Sequence, residues 1–113
     1  MPKKLSENAI RAFKENPEFA KAYKEATGLI RKPTDQERLN MYALAKIGQD
    51  EPIGPKPKAW EFEAKAKHSH WSSLLSEKTP EQARADYIAL VEKLKETYGF
   101  DETKVEPLEG VDI

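Results

Sequence analysis

The stretch TPEQARADYIALVEKLKETYG, Thr79–Gly99, decides the fold. Taken alone, Ile88-Ala89-Leu90-Val91 in its middle reads as a short buried strand. Its surroundings settle it as helix. Thr79 with Gln82 three residues later forms a capping box, and Pro80 sits at the first helical position, where its missing N–H costs nothing. Ala83, Tyr87, Leu90, Val91, Leu94 and Tyr98 then recur every three or four residues, which lines one face of a helix rather than one face of a sheet. Gly99 supplies the stop.

Working back along the chain, the same punctuation recurs. Thr34-Asp35-Gln36-Glu37 is another capping box, and Leu39, Tyr42, Ala43 and Lys46 follow on one side of a helix that should fade near Gly48. Asn16-Pro17-Glu18 reads as an N-cap, a first-position proline and a first-turn acid. It opens a helix carrying Phe19, Ala22, Tyr23, Ala26 and Leu29, which ends by Lys32-Pro33 because a residue before proline avoids helical angles. A shorter helix should run from about Phe62 to Ser76, in a stretch holding Trp60, Phe62, Ala64, Ala66, Trp71, Leu74 and Leu75. Residues 48–58, GQDEPIGPKPK, carry too much proline and glycine for helix or central strand and form a long loop. At the head, Ile10 and Phe13 mark one side of a short extra helix with Asn8 or Ser6 near its start; the acidic tail, DETKVEPLEGVDI, should be loosely held. The expectation is an all-α chain of four helices with an N-terminal segment of open role.

The 113 residues suffice for one modest core. Nineteen basic residues face twenty acidic ones, a net charge of −1, so no broad field favours nucleic acid. No cysteine is present, which excludes disulfides, thiolate metal sites and cysteine nucleophiles. The N-terminal stretch lacks the apolar run of a signal peptide, and no segment approaches the roughly 18 apolar residues of a membrane span; a soluble, cytoplasmic protein is expected.

Few residues invite chemistry. His68 and His70 are two apart, about 200° around a helix, so they cannot chelate one ion together, and no carboxylates recur beside them at ligand spacing. His70 should be solvated and His68 should border the core. No nucleophile stands beside a base, and no phosphate loop, dinucleotide fingerprint or calcium loop occurs, so nothing argues for an enzyme. The lysines are more informative. Tyr42 and Lys46, four apart, share a face of one helix; Lys65 and Lys67 stand near the start of the next; Tyr87 lies on the apolar side of the last. If these meet, they make a pocket for a ligand with phosphates at one end and hydrocarbon at the other. If they do not, they are solvated charges and core tyrosines. Spacing leaves both readings open.

Three blocks resemble the acyl-CoA-binding protein family. KPTDQERLNMYALAK (Lys32–Lys46) is similar to its K-P-(S/T)-D-x-x-x-L-x-x-Y-x-x-Y-K. WEFEAKAKHSHW (Trp60–Trp71) is similar to its L-D-(F/L)-x-G-K-A-K-W-x-A-W, and Thr79–Gly99 to its S-x-E-x-A-x-x-x-Y-I-x-x-V-E-x-L-x-x-x-Y-G. The likeness runs from about Phe19 to Phe100. It implies a four-helix, up-down-down-up bundle with a long overhand loop. The corresponding division is an extension over residues 1–15, an acyl-CoA-binding domain over 16–101 and an acidic tail over 102–113. It implies a monomer that binds, buffers and transports long-chain fatty acyl-CoA without catalysis. No cofactor beyond the ligand is implied, and no nucleic-acid or integral membrane association. Acyl-CoA-using enzymes would be the delivery partners. The family's ligand contacts carry over to Tyr42, Lys46, Lys67 and Tyr87, with Lys32 and Lys65 as secondary contacts.

The chain departs from the family at several positions. Ala45 replaces the second tyrosine of Y-x-x-Y-K, which lies against adenine in the family, and Ile47 replaces the usual glutamine. Thr27 stands where a basic residue near the phosphates is frequent, His68 where an aromatic wall is usual, and Trp60 where leucine is frequent. The loop is one residue shorter. These changes gather at the nucleotide end. They motivate an alternative, a divergent bundle with weakened CoA binding that contacts a protein partner through the head around Ile10 and Phe13.

Overall fold

Each expected cap forms in the structure, a computed structural model describing residues 5–107. Five α-helices result: α1 (Glu7–Glu15), α2 (Pro17–Glu25), α3 (Asp35–Gly48), α4 (Phe62–Leu75) and α5 (Pro80–Tyr98). At α3 the Glu37 N–H donates to Thr34 Oγ1 at 3.2 Å, and the Glu37 carboxylate accepts from the Thr34 N–H at 2.9 Å. At α5 Gln82 and Thr79 exchange the same two bonds, at 3.2 and 3.0 Å. Asn16 serves two helices. Its N–H closes α1 on Ala12 O at 3.0 Å, and its side chain caps α2 by accepting from the Phe19 N–H at 3.1 Å. Gly99, at φ +83°, ends α5 in a backbone region that L side chains rarely adopt.

The head is the short extra helix that Ile10 and Phe13 mark, a capped element added to the four expected helices. Ser6 is its N-cap, accepting from the Ala9 N–H at 3.1 Å. Ala9, Ala12 and Phe13 turn inward and are fully buried, so α1 shares one core with the helices after it. Polar ties hold its rim. Asn8 Nδ2 donates to Asp50 O at 2.8 Å, the Ser6 hydroxyl donates to the Glu51 carboxylate, and Glu15 pairs with Arg84 at 3.4 Å. Arg84 also donates from Nε to Gly48 O at 2.6 Å. One buried guanidinium thus joins the ends of α1 and α3 to α5, and the carbonyl and carboxylate it meets offset the cost of burying its charge.

α3 packs against both α4 and α5, and α2 packs against α5. Phe19, Ile47, Val91 and Leu94 fill the centre. Phe13, Phe19, Tyr87 and Tyr23 form a closed circuit of rings, with successive centroids 5.1, 5.5, 6.2 and 5.0 Å apart. Tilted and edge-on pairs at such distances stabilise a core beyond their area alone.

Two expectations change near the termini. The helix opened at Pro17 leaves α geometry at Glu25 and tightens into a 3-10 turn over Ala26–Gly28. There the chain meets its own C-terminal part: Leu29 bridges Phe100 in antiparallel fashion, and a Cβ on Gly28 would lie 2.8 Å from the Phe100 ring. The tail is not loose over residues 101–107. Asp101 caps a 3-10 turn at Glu102–Lys104, and the Glu106 N–H donates to Thr27 Oγ1 at 2.9 Å. Residues 108–113 of that tail lie outside the described residues.

Candidate functional site

Tyr42 stands at the centre of the arrangement. Lys46 Nζ lies 5.7 Å from its ring centroid and Lys67 Nζ 5.4 Å, while the Trp71 ring meets it edge-on at 6.1 Å. Lys46 reaches the ring because it is one helical turn further along α3; Lys67 reaches it from α4. Ammonium groups within about 6 Å of a ring centroid are attracted by its quadrupole. Lys67 is additionally paired with the exposed Glu63 at 3.4 Å, an i,i+4 contact of small net value.

Two clefts open on either side of this wall and share Tyr42, Phe62, Glu63 and Lys67. The first, about 720 Å³, is closed by the proline-rich loop through Gly54, Pro55 and Pro57, with His68 and Trp71 beside it. The second, about 730 Å³, runs along Lys32, Arg38, Leu39 and Ala66. Both lie within the usual range for small-molecule sites, roughly 300–1,000 Å³.

The structure therefore brings Tyr42, Lys46 and Lys67 together, with Lys32 on the adjoining cleft. It does not bring in the rest. Tyr87 is 2% exposed and lines neither cleft; its ring packs on Phe19 and Tyr23. Burial pushes its hydroxyl above the ordinary tyrosine value, and neighbouring Tyr23 adds to the effect. Ala45 is buried in the core. Lys65, two residues from Lys67, points to another face of α4 and lines a separate groove with Lys56, His68 and Ser69.

The histidines have structural work. His68 Nε2 is hydrogen-bonded to Gly54 O at 2.9 Å, which pins the loop against α4. His70, expected in solvent, is instead half-buried and bonded to Asn40 Oδ1 at 2.5 Å, tying α4 to α3. Among the described residues no group of three or more His, Cys, Asp or Glu is placed to hold a metal. Thr27, which stands where the family often has a basic residue, anchors the tail. Phe62 is the site residue that sequence reasoning missed: it begins α4 as expected, yet it is 78% exposed and lines both clefts.

The described residues form an all-helical bundle in which a cationic–aromatic wall stands between two clefts. Residues 16–91 match the family described as acyl CoA binding protein. The chain is 36% identical over 81 residues to an acyl-CoA-binding protein of Dictyostelium discoideum, covering 71% of this chain and 95% of that one. It is 35% identical over 94 residues to acyl-CoA-binding domain-containing protein 6 of Bos taurus, 80% of this chain but only 32% of that longer relative. The crystal structure of Oryza sativa acyl-CoA-binding protein 2 superposes with a TM-score of 0.66 at 27% identity, covering 72% of this chain and 90% of that one. The chain belongs to the acyl-CoA-binding protein family.

Proposed function

We propose that this protein binds long-chain fatty acyl-CoA one-to-one and non-covalently, leaves the thioester intact, and serves as a buffer and carrier of it. The observation that carries this reading is the Tyr42 ring with Lys46 and Lys67 at 5.7 and 5.4 Å from its centroid, beside the two clefts that Tyr42 and Lys67 line. The ligand has two incompatible ends, and the site has matching ones. Lys46 and Lys67, with Lys32 nearby, face the diphosphate and ribose phosphate; each charge-assisted bond contributes roughly 1.5–3 kcal/mol. Leu39, Phe62 and Ala66 offer an apolar track for the acyl chain, whose burial contributes about 0.8 kcal/mol per methylene. Chain length should therefore dominate affinity, while the lysines select CoA esters over free fatty acid.

With Ala45 buried and Tyr87 in the core, Tyr42 is the cleft tyrosine offered to adenine, and stacking on one ring is worth about 1–3 kcal/mol. The protein-partner alternative loses its main residue: Phe13 is spent inside the core, leaving Leu5 and Ile10 as partly accessible apolar side chains among the described residues of the head. Native mass spectrometry after incubation with a long-chain acyl-CoA tests the reading. A one-to-one complex with unhydrolysed thioester supports it; free CoA accumulating with protein, or no complex, opposes it.

A further inference from the structure

Two buried side-chain N–H groups among the described residues have no acceptor, Gln49 Nε2 and Trp71 Nε1. Leaving a buried donor unmet is costly, and folded proteins keep few of them. Gln49 lines neither cleft; Trp71 lines the first one, together with Gly54, Pro55 and Pro57 of the loop. Trp71 is only 7% exposed. The Tyr42 ring, which meets it edge-on at 6.1 Å, offers at most a weak π acceptor. The first cleft therefore has an unused donor in its wall.

The position of that donor selects its acceptor. Trp71 follows Lys67 by one turn of α4, so the two share a side of the helix. In the reading above, Lys67 takes phosphate, the Tyr42 ring takes adenine, and the methylenes of the acyl chain carry no acceptor. What remains of CoA is the pantetheine arm, which leaves the diphosphate and carries amide groups. An indole N–H is a neutral donor and suits a neutral amide carbonyl, whereas a phosphate is better met by the ammonium groups. The wall that must yield is lightly held. Among the described residues, the bond between His68 Nε2 and Gly54 O is the one hydrogen bond that ties residues 52–57.

We propose that Trp71 is a ligand-binding residue of the first cleft: its indole N–H donates to an amide carbonyl of the pantetheine arm of CoA. Nε1 is sealed from solvent, so the arm reaches it as the loop around Gly54 moves aside. The proposal rests on the acyl-CoA reading and adds a selectivity to it. A nucleotide without pantetheine leaves the donor unmet, so the site favours the whole of CoA over its adenosine part.

The test is the indole N–H resonances of the isotope-labelled full chain. The chain has two tryptophans, and Trp60, 69% exposed and in neither cleft wall, serves as the reference. Trp60→Phe assigns the pair. Free CoA and a long-chain acyl-CoA should each move the Trp71 proton downfield; adenosine 3′,5′-diphosphate, which lacks the arm, should not. In titrations, Trp71→Phe, with helical content checked, should weaken CoA and acyl-CoA about fivefold, the loss of one neutral hydrogen bond, and the adenosine diphosphate by less than about twofold. A merely structural role would weaken all three alike. A Trp71 resonance unmoved in the acyl-CoA complex would overturn the proposal. So would a downfield shift with the adenosine diphosphate, which assigns the donor to the nucleotide, or one with acyl-CoA alone, which assigns it to the thioester carbonyl. Absence of acyl-CoA binding by wild type would instead defeat the carrier reading, and the proposal with it.

Discussion

The rings of Tyr23 and Tyr87 lie 6.2 Å apart, and Phe13 of α1 rests on Tyr23 at 5.0 Å. The tyrosine that the family motif marks for ligand contact is thereby covered by two rings of α2, against which the head helix packs in turn. Tyr87→Phe keeps the ring and removes only a hydroxyl remote from both clefts. We expect acyl-CoA affinity to stay within about threefold, since no ligand hydrogen bond worth roughly 1 kcal/mol or more is lost. A tenfold loss in titration would mean that the ring circuit opens when ligand enters.

Removing the head's anchor should be costly. Phe13 is fully buried and touches two other rings. Phe13→Ala should destabilise by about 3–5 kcal/mol, the usual cost of emptying an aromatic core position. Urea unfolding would show a lower midpoint with unchanged slope. A change below about 1 kcal/mol would show that α1 packs independently of the core.

Two neighbouring lysines should behave differently. Lys67→Ala removes an ammonium group from the Tyr42 ring and should weaken acyl-CoA binding about tenfold or more. Lys65→Ala, on the other face of α4, should change it by less than about threefold. Glu63→Gln releases Lys67 from an exposed ion pair, so affinity should hold or rise. Equal losses at Lys65 and Lys67 would move the phosphate site.

Acid should loosen the contact between α3 and the end of α5. The Tyr98 hydroxyl donates to the Glu37 carboxylate, which also accepts from the Thr34 N–H. The Tyr98 bond, followed by that to the Thr34 backbone, holds the Glu37 carboxyl below its ordinary 4.5. A depressed folded-state value means that the contribution is complete above the ordinary value and is lost as pH falls through the lower one. Glu37→Gln should therefore flatten the dependence of unfolding midpoint on pH below about 4.5. An unchanged acid limb would place that titration elsewhere.

Helix positions were legible because their signals are local. Thr34, Thr79, Pro17 and Gly99 act within a few residues of themselves, and each stands at the boundary it announced. The head was visible as Ile10 and Phe13, but whether an amphipathic turn docks depends on a partner surface far along the chain. Long-range polar partners were illegible for the same reason. Nothing in Arg84 announces Gly48 and Glu15, nothing in His68 announces Gly54, and nothing in Thr27 announces Glu106. At the site, spacing could pair Tyr42 with Lys46 on one helix. Bringing Lys67 to the same ring, and keeping Tyr87 away from it, depends on how α3, α4 and α5 pack.

The most direct test is calorimetric titration of the full chain with a long-chain acyl-CoA, with free CoA and the matching fatty acid as controls. We expect one-to-one binding far tighter than either control, and tighter still as the chain lengthens. Affinity for the acyl-CoA no greater than for free CoA would contradict acyl-CoA carriage by this protein.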